Sequence, residues 1–357
     1  MSTMSDGIKS CASFETRFFE ALLRMRGYLI SEPLILRSRA KRGVSKDEHV
    51  GSFIRTSILA ALAFLAACGP KDAVSAGATP VENAVAEKGP AMWAVTDADS
   101  TIYLFGTFHI LPANIEWRTA AFDKAMKETP VTLTEVDTTS EAAQKTMSAL
   151  VTELGFNAPG VTLTALLGPV RAVRFSAIAE RYGVSMSAFE PMKPWLAMIT
   201  LSVAIMQKEG FDAKSGAEET ILTRAAAEGD RIEHLESAEF QIRALASLNE
   251  EEILSDFDSS LGEYEDFDGY AARVLDAWST GDVKALEKET LKAMRETAPD
   301  AFRILIKDRN ANWVKEIDKM MAGDGDYFIA VGAGHLIGKG GVVDMLEKKG
   351  YAVERVQ

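Results

Sequence analysis

Gly106-Thr107-Phe108-His109 and Gly332-Ala333-Gly334-His335 spell one pattern, Gly-x-x-His, more than two hundred residues apart. Each copy follows a β-rich apolar run, TIYLF before the first and YFIAV before the second. The chain has four histidines, His49, His109, His234 and His335, so two of them close a strand in the same local setting. Histidine is the side chain that serves as acid, base or ligand near neutral pH. If the two copies serve one site, the chain must return to the same edge of one sheet. The carboxyl ends of strands in an open α/β sheet are where ligands bind, and both histidines fall there. A glycine three residues earlier lets the backbone turn sharply and leaves space beside it.

The flanks of the two copies share a plan. MWAVTDADSTIYLFGTFH reads as a hairpin around DADS. EWRTAAFDKAMKET then has helical spacing at Trp117, Ala121, Phe122 and Ala125, Pro130 stops it, and VTLTEV is a strand. In the second copy DYFIAVG is a strand, GAGHLIGKGG a loop, GVVDMLEKKG a helix ended by Gly350, and YAVERV a final strand. Two strand–GxxH-loop–helix–strand units predict an α/β fold. Its sheet is mixed and largely parallel, a helical region lies between the units, and the two loops meet at one cleft. Helical periodicity fills the middle of the chain, where LSVAIMQ is apolar enough for a core but too short to span a bilayer. The stretch EEEILSDFDSSLGEYEDFD holds nine carboxylates and no basic residue. It lacks the EF-hand calcium pattern and reads as a solvated face.

The net charge of −13 over 357 residues argues against a nucleic-acid partner held through phosphates. Near the N-terminus, IRTSILAALAFLAAC (residues 54 to 68) places Arg55 before a short apolar core and a cysteine. That is the layout of a secretory signal, and Leu65-Ala66-Ala67-Cys68 looks like a bacterial lipobox, whose cysteine is lipidated. Residues 51–67 are therefore expected to be a signal peptide and 68–90, rich in Ala, Gly and Pro, a flexible tether. The α/β domain takes up 91–357. Residues 1–50 precede the signal and read as a start set too early or as a disordered extension. Removing 1–67 takes Cys11 away and leaves Cys68 alone, so the mature chain can form neither an internal disulfide nor a cysteine zinc site. The expected location is the cell envelope, facing the periplasm and anchored to the membrane by lipid on Cys68.

Glu135, in LTEVD, ends the strand after the first helix, and Asp137 shares its face if that strand continues. Two histidines and a carboxylate are a common ligand set for a divalent transition metal. They would equally serve a metal-free hydrolase as acid–base groups. His234, in RIEHLES, belongs to no motif and reads as a surface residue. GAGHLIGKGG fails the dinucleotide pattern because Ile337 stands at its last glycine, and fails the phosphate loop because Gly340 follows Lys339.

IYLFGTFHILP, LTEVD, KPW at 193–195, GAEETIL, HLESAEFQI, DRNANW and the stretch from Phe328 to Val356 together resemble the TraB/PrgY/GumN proteins. These are related to the TIKI metalloproteases and more distantly to erythromycin-esterase-like hydrolases. The resemblance covers roughly 91–357. It aligns the family's paired motifs with His109 and His335 and its strand glutamate with Glu135. Arg309, Asn310 and Trp313 match its RN..W, and Glu236 stands in its LET position. In place of the family's G-V-D this chain has Gly216-Ala217-Glu218, an acid with a longer arm. TIKI proteins cleave peptides with a divalent metal, so the resemblance implies a metal-dependent hydrolase (Mn, Co or Zn) acting on a peptide or small envelope substrate. His109, Glu135 and His335 would be its ligands or catalytic groups. Arg309 would orient a carboxylate or an oxyanion, and Glu218 and Glu236 would be further candidate ligands. Two alternatives stand beside it: a metal-free esterase-like hydrolase, and a PrgY-like protein that captures a peptide signal without turnover. The oligomeric state stays open. Mass spectrometry of membrane-extracted protein is expected to show lipidated Cys68 with residues 1–67 absent; a mature chain that begins near Met1 would refute the anchor.

Overall fold

The computed structural model describes residues 88–357. The expected signal peptide, lipidated Cys68, His49 and most of the tether lie outside the described residues. Gly89 and Pro90 are already buried, and the Pro90 carbonyl accepts a 2.6 Å hydrogen bond from Gln357 Nε2. Gly89 and Pro90 therefore already pack against the domain. Among the described residues no helix is long and apolar enough to cross a membrane.

The chain opens with β1 (Met92–Thr96), β2 (Thr101–Thr107) and the two-residue β3 (Leu111–Pro112). Helix α1 (Ala120–Glu128) and β4 (Val131–Val136) complete the first unit. Four helices follow, α2 (Glu141–Leu154), α3 (Leu163–Arg181), α4 (Met186–Phe189) and α5 (Pro194–Lys208). Then come β5 (Phe211–Asp212), α6 (Ala217–Glu228), β6 (Arg231–Glu236), α7 (Ala238–Ala246) and α8 (Glu250–Glu265). Next are α9 (Phe267–Ser279), α10 (Val283–Thr290), α11 (Lys292–Thr297) and α12 (Pro299–Phe302), and a π-helical turn at Arg303–Lys307 leads into α13 (Asp308–Met321). The last elements are β7 (Asp326–Gly332), the single turn α14 (Ala333–Leu336), α15 (Val342–Lys349) and β8 (Val353–Arg355).

Six strands form one sheet in the order β6-β4-β7-β2-β1-β8. β6, β4, β7 and β2 run parallel; β1 is antiparallel to both β2 and β8. The fold is mixed α/β with a largely parallel sheet. β7 comes from the far end of the chain, yet it lies between β2 and β4 of the first unit, in register from Thr101↔Asp326 to Thr107↔Gly332. The two halves of the chain are thus interleaved. All six residues of β4 are buried, as expected for a central parallel strand covered on both faces. Phe105, Trp117, Phe122 and Phe328 knit β2, the start of α1 and β7 together, with ring centroids 5.0–6.0 Å apart. Thr119 caps α1 by accepting from the Phe122 backbone N–H, which sets the entry angle of that helix. α5 buries nearly its whole length, in keeping with its apolar run.

Several local expectations change. RIEHLE, not read as a strand, is the edge strand β6; its polar residues sit at a sheet edge, where alternation is weak. β4 stops at Val136, so Asp137 does not share the face of Glu135; its carboxylate instead caps the turn by accepting from the backbone N–H groups of Thr139 and Ser140. The carboxylate-rich segment is α8, and it is not a solvated face throughout, because Asp256 and Glu263 are buried. The second Gly-x-x-His does not loop: it winds into α14. The last strand, expected from YAVERV, pairs antiparallel with β1 at the edge of the sheet.

The glycine of the first motif is needed for close approach. A Cβ on Gly106 would lie 3.0 Å from both Cα and Cβ of Ala333, the first residue of α14, and the Gly106 carbonyl accepts a 2.8 Å hydrogen bond from Trp278 Nε1. Gly106→Val is therefore expected to cost about 1–3 kcal/mol, the usual penalty of overpacking. Urea denaturation reads it; an unchanged midpoint would show that α14 does not press on β2.

Candidate functional site

His109 lies in the loop between β2 and β3. β3 pairs with β5, Leu111↔Asp212 and Pro112↔Phe211, which ties this loop to the segment leading into α6. The Ala217 N–H donates to the Phe108 carbonyl at 2.9 Å. Gly216 packs so tightly on the His109 carbonyl that no Cβ would fit. Glu218 then falls in the first turn of α6, where the helix dipole favours a negative charge. Its Oε2 lies 2.6 Å from His109 Nδ1. Burial pushes the His109 pKa down, and the Glu218 carboxylate pushes it up and prevails. The contact is a close approach of charges rather than an aligned hydrogen bond: Glu218 Oε2 and His109 Nε2 are both buried with no hydrogen-bond partner.

Arg309 and Trp313 are four residues apart on α13 and so share one helix face. The Arg309 guanidinium is buried, and all five of its N–H donors are engaged. Nε donates to both oxygens of Glu236 at 3.0 Å. Nη1 reaches the Leu305 carbonyl in the π turn, at 3.1 Å, and His335 Nε2, also at 3.1 Å. Nη2 contacts Glu135 Oε2 at 2.6 Å and Glu236 Oε2 at 2.9 Å. A π turn beside a functional group is a recurrent pairing; here it offers a carbonyl to the buried cation. Glu236 also accepts from Trp313 Nε1 at 2.8 Å and Gln241 Nε2 at 3.1 Å.

Glu135 takes a 2.7 Å hydrogen bond from the Gly332 N–H through Oε1. A Cβ on Gly332 would lie 3.0 Å from that oxygen, so this glycine makes room for the carboxylate. Burial pushes the Glu135 pKa up, but the Arg309 charge, foremost among the opposing groups, holds it at about 2. His335 Nδ1 lies 2.6 Å from Asn310 Oδ1. The Asn310 amide nitrogen donates to the His335 and Gly340 carbonyls, and these bonds orient the amide. With Arg309 donating to Nε2, the network assigns the proton to Nδ1 and leaves the ring neutral. Burial first, then the Arg309 charge, holds the His335 pKa down at about 3.

His109, Glu135 and His335 line one cavity of about 40 Å³, together with Thr107, Phe108, Met206 and Leu291. That is room for on the order of three waters. The family model described as the TraB/PrgY/gumN family matches residues 91–355. The chain belongs to the TraB/PrgY/gumN family. The uncharacterized protein YbaP of Escherichia coli (strain K12) is 25% identical over 169 residues, 47% of this chain and 62% of that protein. The Shigella flexneri YbaP matches to the same extent. This chain thus covers less than two thirds of these relatives' length. No solved structure matches.

In this TraB/PrgY/gumN member the expected site residues divide into two groups. His109 pairs with Glu218. Glu135, Glu236 and His335 surround Arg309, and Glu236 does not line the cavity. Among the described residues no three His, Cys, Asp or Glu side chains gather so as to hold a metal ion. A cation shared by His109, Glu135 and His335 would need the lone pair of His335 Nε2 and an oxygen of Glu135. Arg309 donates to both residues, so this arrangement does not fit a resident metal. His234 is no free surface residue: it is half-buried on β6, its Nδ1 2.8 Å from Thr134 Oγ1. Gln241 was not singled out from the sequence, because a glutamine on a helix carries no motif; Asn310 and Trp313 entered only through DRNANW.

Removing Arg309 leaves two buried carboxylates without their cation. Arg309→Met is expected to cost about 3–5 kcal/mol, read by denaturation. Acid should act on the same cluster. An unfolded histidine takes a proton near 6.5 and His335 only near 3; Glu135 moves likewise from 4.5 to about 2. The unfolded state therefore binds more protons across these windows, and stability falls as pH drops from about 6.5 toward 3. A melting temperature that is flat over that range would refute the assignment.

Proposed function

We propose that this chain is a lipid-anchored hydrolase of the cell envelope, which cleaves an ester or amide bond, peptide bonds included, at the His109 cavity. One observation carries the reading. His109 lines the cavity, its Nδ1 lies 2.6 Å from the Glu218 carboxylate, and its buried Nε2 has no hydrogen-bond partner. A histidine oriented by an acid is the working half of a hydrolytic triad, with water here as nucleophile. The water oxygen attacks the carbonyl carbon while its proton passes to His109 Nε2. The imidazolium that forms is stabilised by Glu218 and by the field of ionised Glu135. His109 then returns the proton to the departing alcohol or amine, and a carboxylic acid remains. Arg309 keeps Glu135 ionised and in place, and neutral His335 helps to fix the guanidinium. The envelope location rests on the lipobox-like sequence before Cys68.

The base must be neutral to act, so kcat/KM should fall at acid pH with an inflection above the ordinary histidine value of 6.5. Glu218→Gln removes the group that favours the charged ring and should move that inflection to lower pH. His109→Ala should lower kcat by about 10²–10⁴-fold with little loss of stability. Turnover should survive chelation. Activity lost to a chelator and restored by Mn, Co or Zn would transfer the water-activating role to a metal, and an active His109→Ala protein would sink the reading.

A further inference from the structure

A second residue that lines the cavity carries an unsatisfied buried polar atom. Thr107 is fully buried, it lines the same cavity as His109, and its Oγ1 has no hydrogen-bond partner. A hydroxyl shut away from water normally finds a partner, and one that has none calls for an explanation. Thr107 ends β2 opposite Gly332, whose N–H holds Glu135. It also stands two residues before His109, whose Nε2 is likewise unpartnered. One donor and one base in a single small cavity are complementary to the two ends of a hydrolytic reaction, the carbonyl oxygen and the attacking water. The remaining lining is mostly apolar, with Phe108, Ile110, Met206, Leu286, Leu291 and Ile306, and the one further hydroxyl, that of Thr290, is spent on the Leu286 carbonyl.

We infer that Thr107 is a catalytic residue whose hydroxyl donates to the carbonyl oxygen of the scissile bond, and that the substrate carries a small apolar group on its acyl side. This rests on the hydrolase reading and adds a residue and a substrate class to it. As water adds to the carbonyl carbon, the carbon–oxygen π pair moves onto oxygen and the Thr107 O–H bond points at the developing charge. When the tetrahedral species collapses, that pair re-forms the carbonyl, the leaving group departs with the proton from His109 Nε2, and Thr107 is unchanged. An acyl group of negative charge would meet ionised Glu135 and mostly apolar side chains in the cavity lining, and is disfavoured on both counts.

The full-length protein is to be assayed on the 4-nitrophenyl esters of acetic, butyric and succinic acid, alongside Thr107→Val, Thr107→Ala and Thr107→Ser. Loss of one oxyanion donor typically lowers kcat by about 10²–10³-fold. Both hydroxyl-free variants are expected to fall in that range with KM changed less than about threefold, while Thr107→Ser, which keeps the donor, retains most of kcat. Melting temperatures identify any variant that fails to fold, and either hydroxyl-free variant suffices. The butyryl ester should exceed the succinyl ester at least tenfold in kcat/KM. Wild-type kcat in Thr107→Val or Thr107→Ala, or an equal loss in Thr107→Ser, would overturn the role of the hydroxyl and leave the hydrolase intact. Equal turnover of the succinyl ester would overturn the apolar substrate class. An inert wild-type protein on all three esters would count against the hydrolase reading itself, whatever the variants do.

Discussion

A buried guanidinium organises this protein. Arg309 spends all five donors on two carboxylates, one imidazole and one backbone carbonyl. Those partners come from β4, the end of β6, α14 and the π turn before α13. A charge out of water is tolerated only when it is paired and fully hydrogen-bonded, so these elements are held to one arrangement. The same cation keeps Glu135 ionised where burial alone would drive the carboxyl the other way, and it adds to the burial that keeps His335 neutral. Stability and the electrostatics of the site therefore have one source.

The two histidines at the cavity have opposite characters although they share a motif. His109 faces a carboxylate and is made a better proton acceptor. His335 is buried, faces a cation, and is made a poor one. Environments that push the pKa values of neighbouring groups apart separate their roles. The motif supplies the ring and the glycine; the third partner decides what the ring does. The glycines also differ in use. Gly106 admits the backbone of α14, and Gly332 admits the carboxylate of Glu135.

Much of this was legible in the chain itself. The hairpin of β1 and β2, the helix after it, β4 and β7 follow from apolar periodicity, turn residues and Pro130. The choice of His109, His335 and Glu135 followed from strand ends, and all three line one cavity. DRNANW announced Arg309 without saying which groups it would bind. Thr107 was in plain view inside Gly-Thr-Phe-His, but an unpartnered hydroxyl can be recognised only once every neighbour is placed. β6 escaped because an edge strand does not alternate strongly, and His234 and the buried carboxylates of α8 were misread because burial of a polar residue depends on what packs over it.

By itself the sequence determined most of the local elements, the strand ends that place His109, Glu135 and His335, and the acidic net charge. These depend on near neighbours and on composition. Only the tertiary structure decided that β7 inserts between β2 and β4, that Arg309 stands among the residues expected to share a metal, and that Glu218 belongs to His109 while Glu236 belongs to Arg309. The reason is physical: a long-range strand insertion and a buried charge network are set by desolvation and packing among residues as much as 225 positions apart. No pattern along the chain records which partner wins.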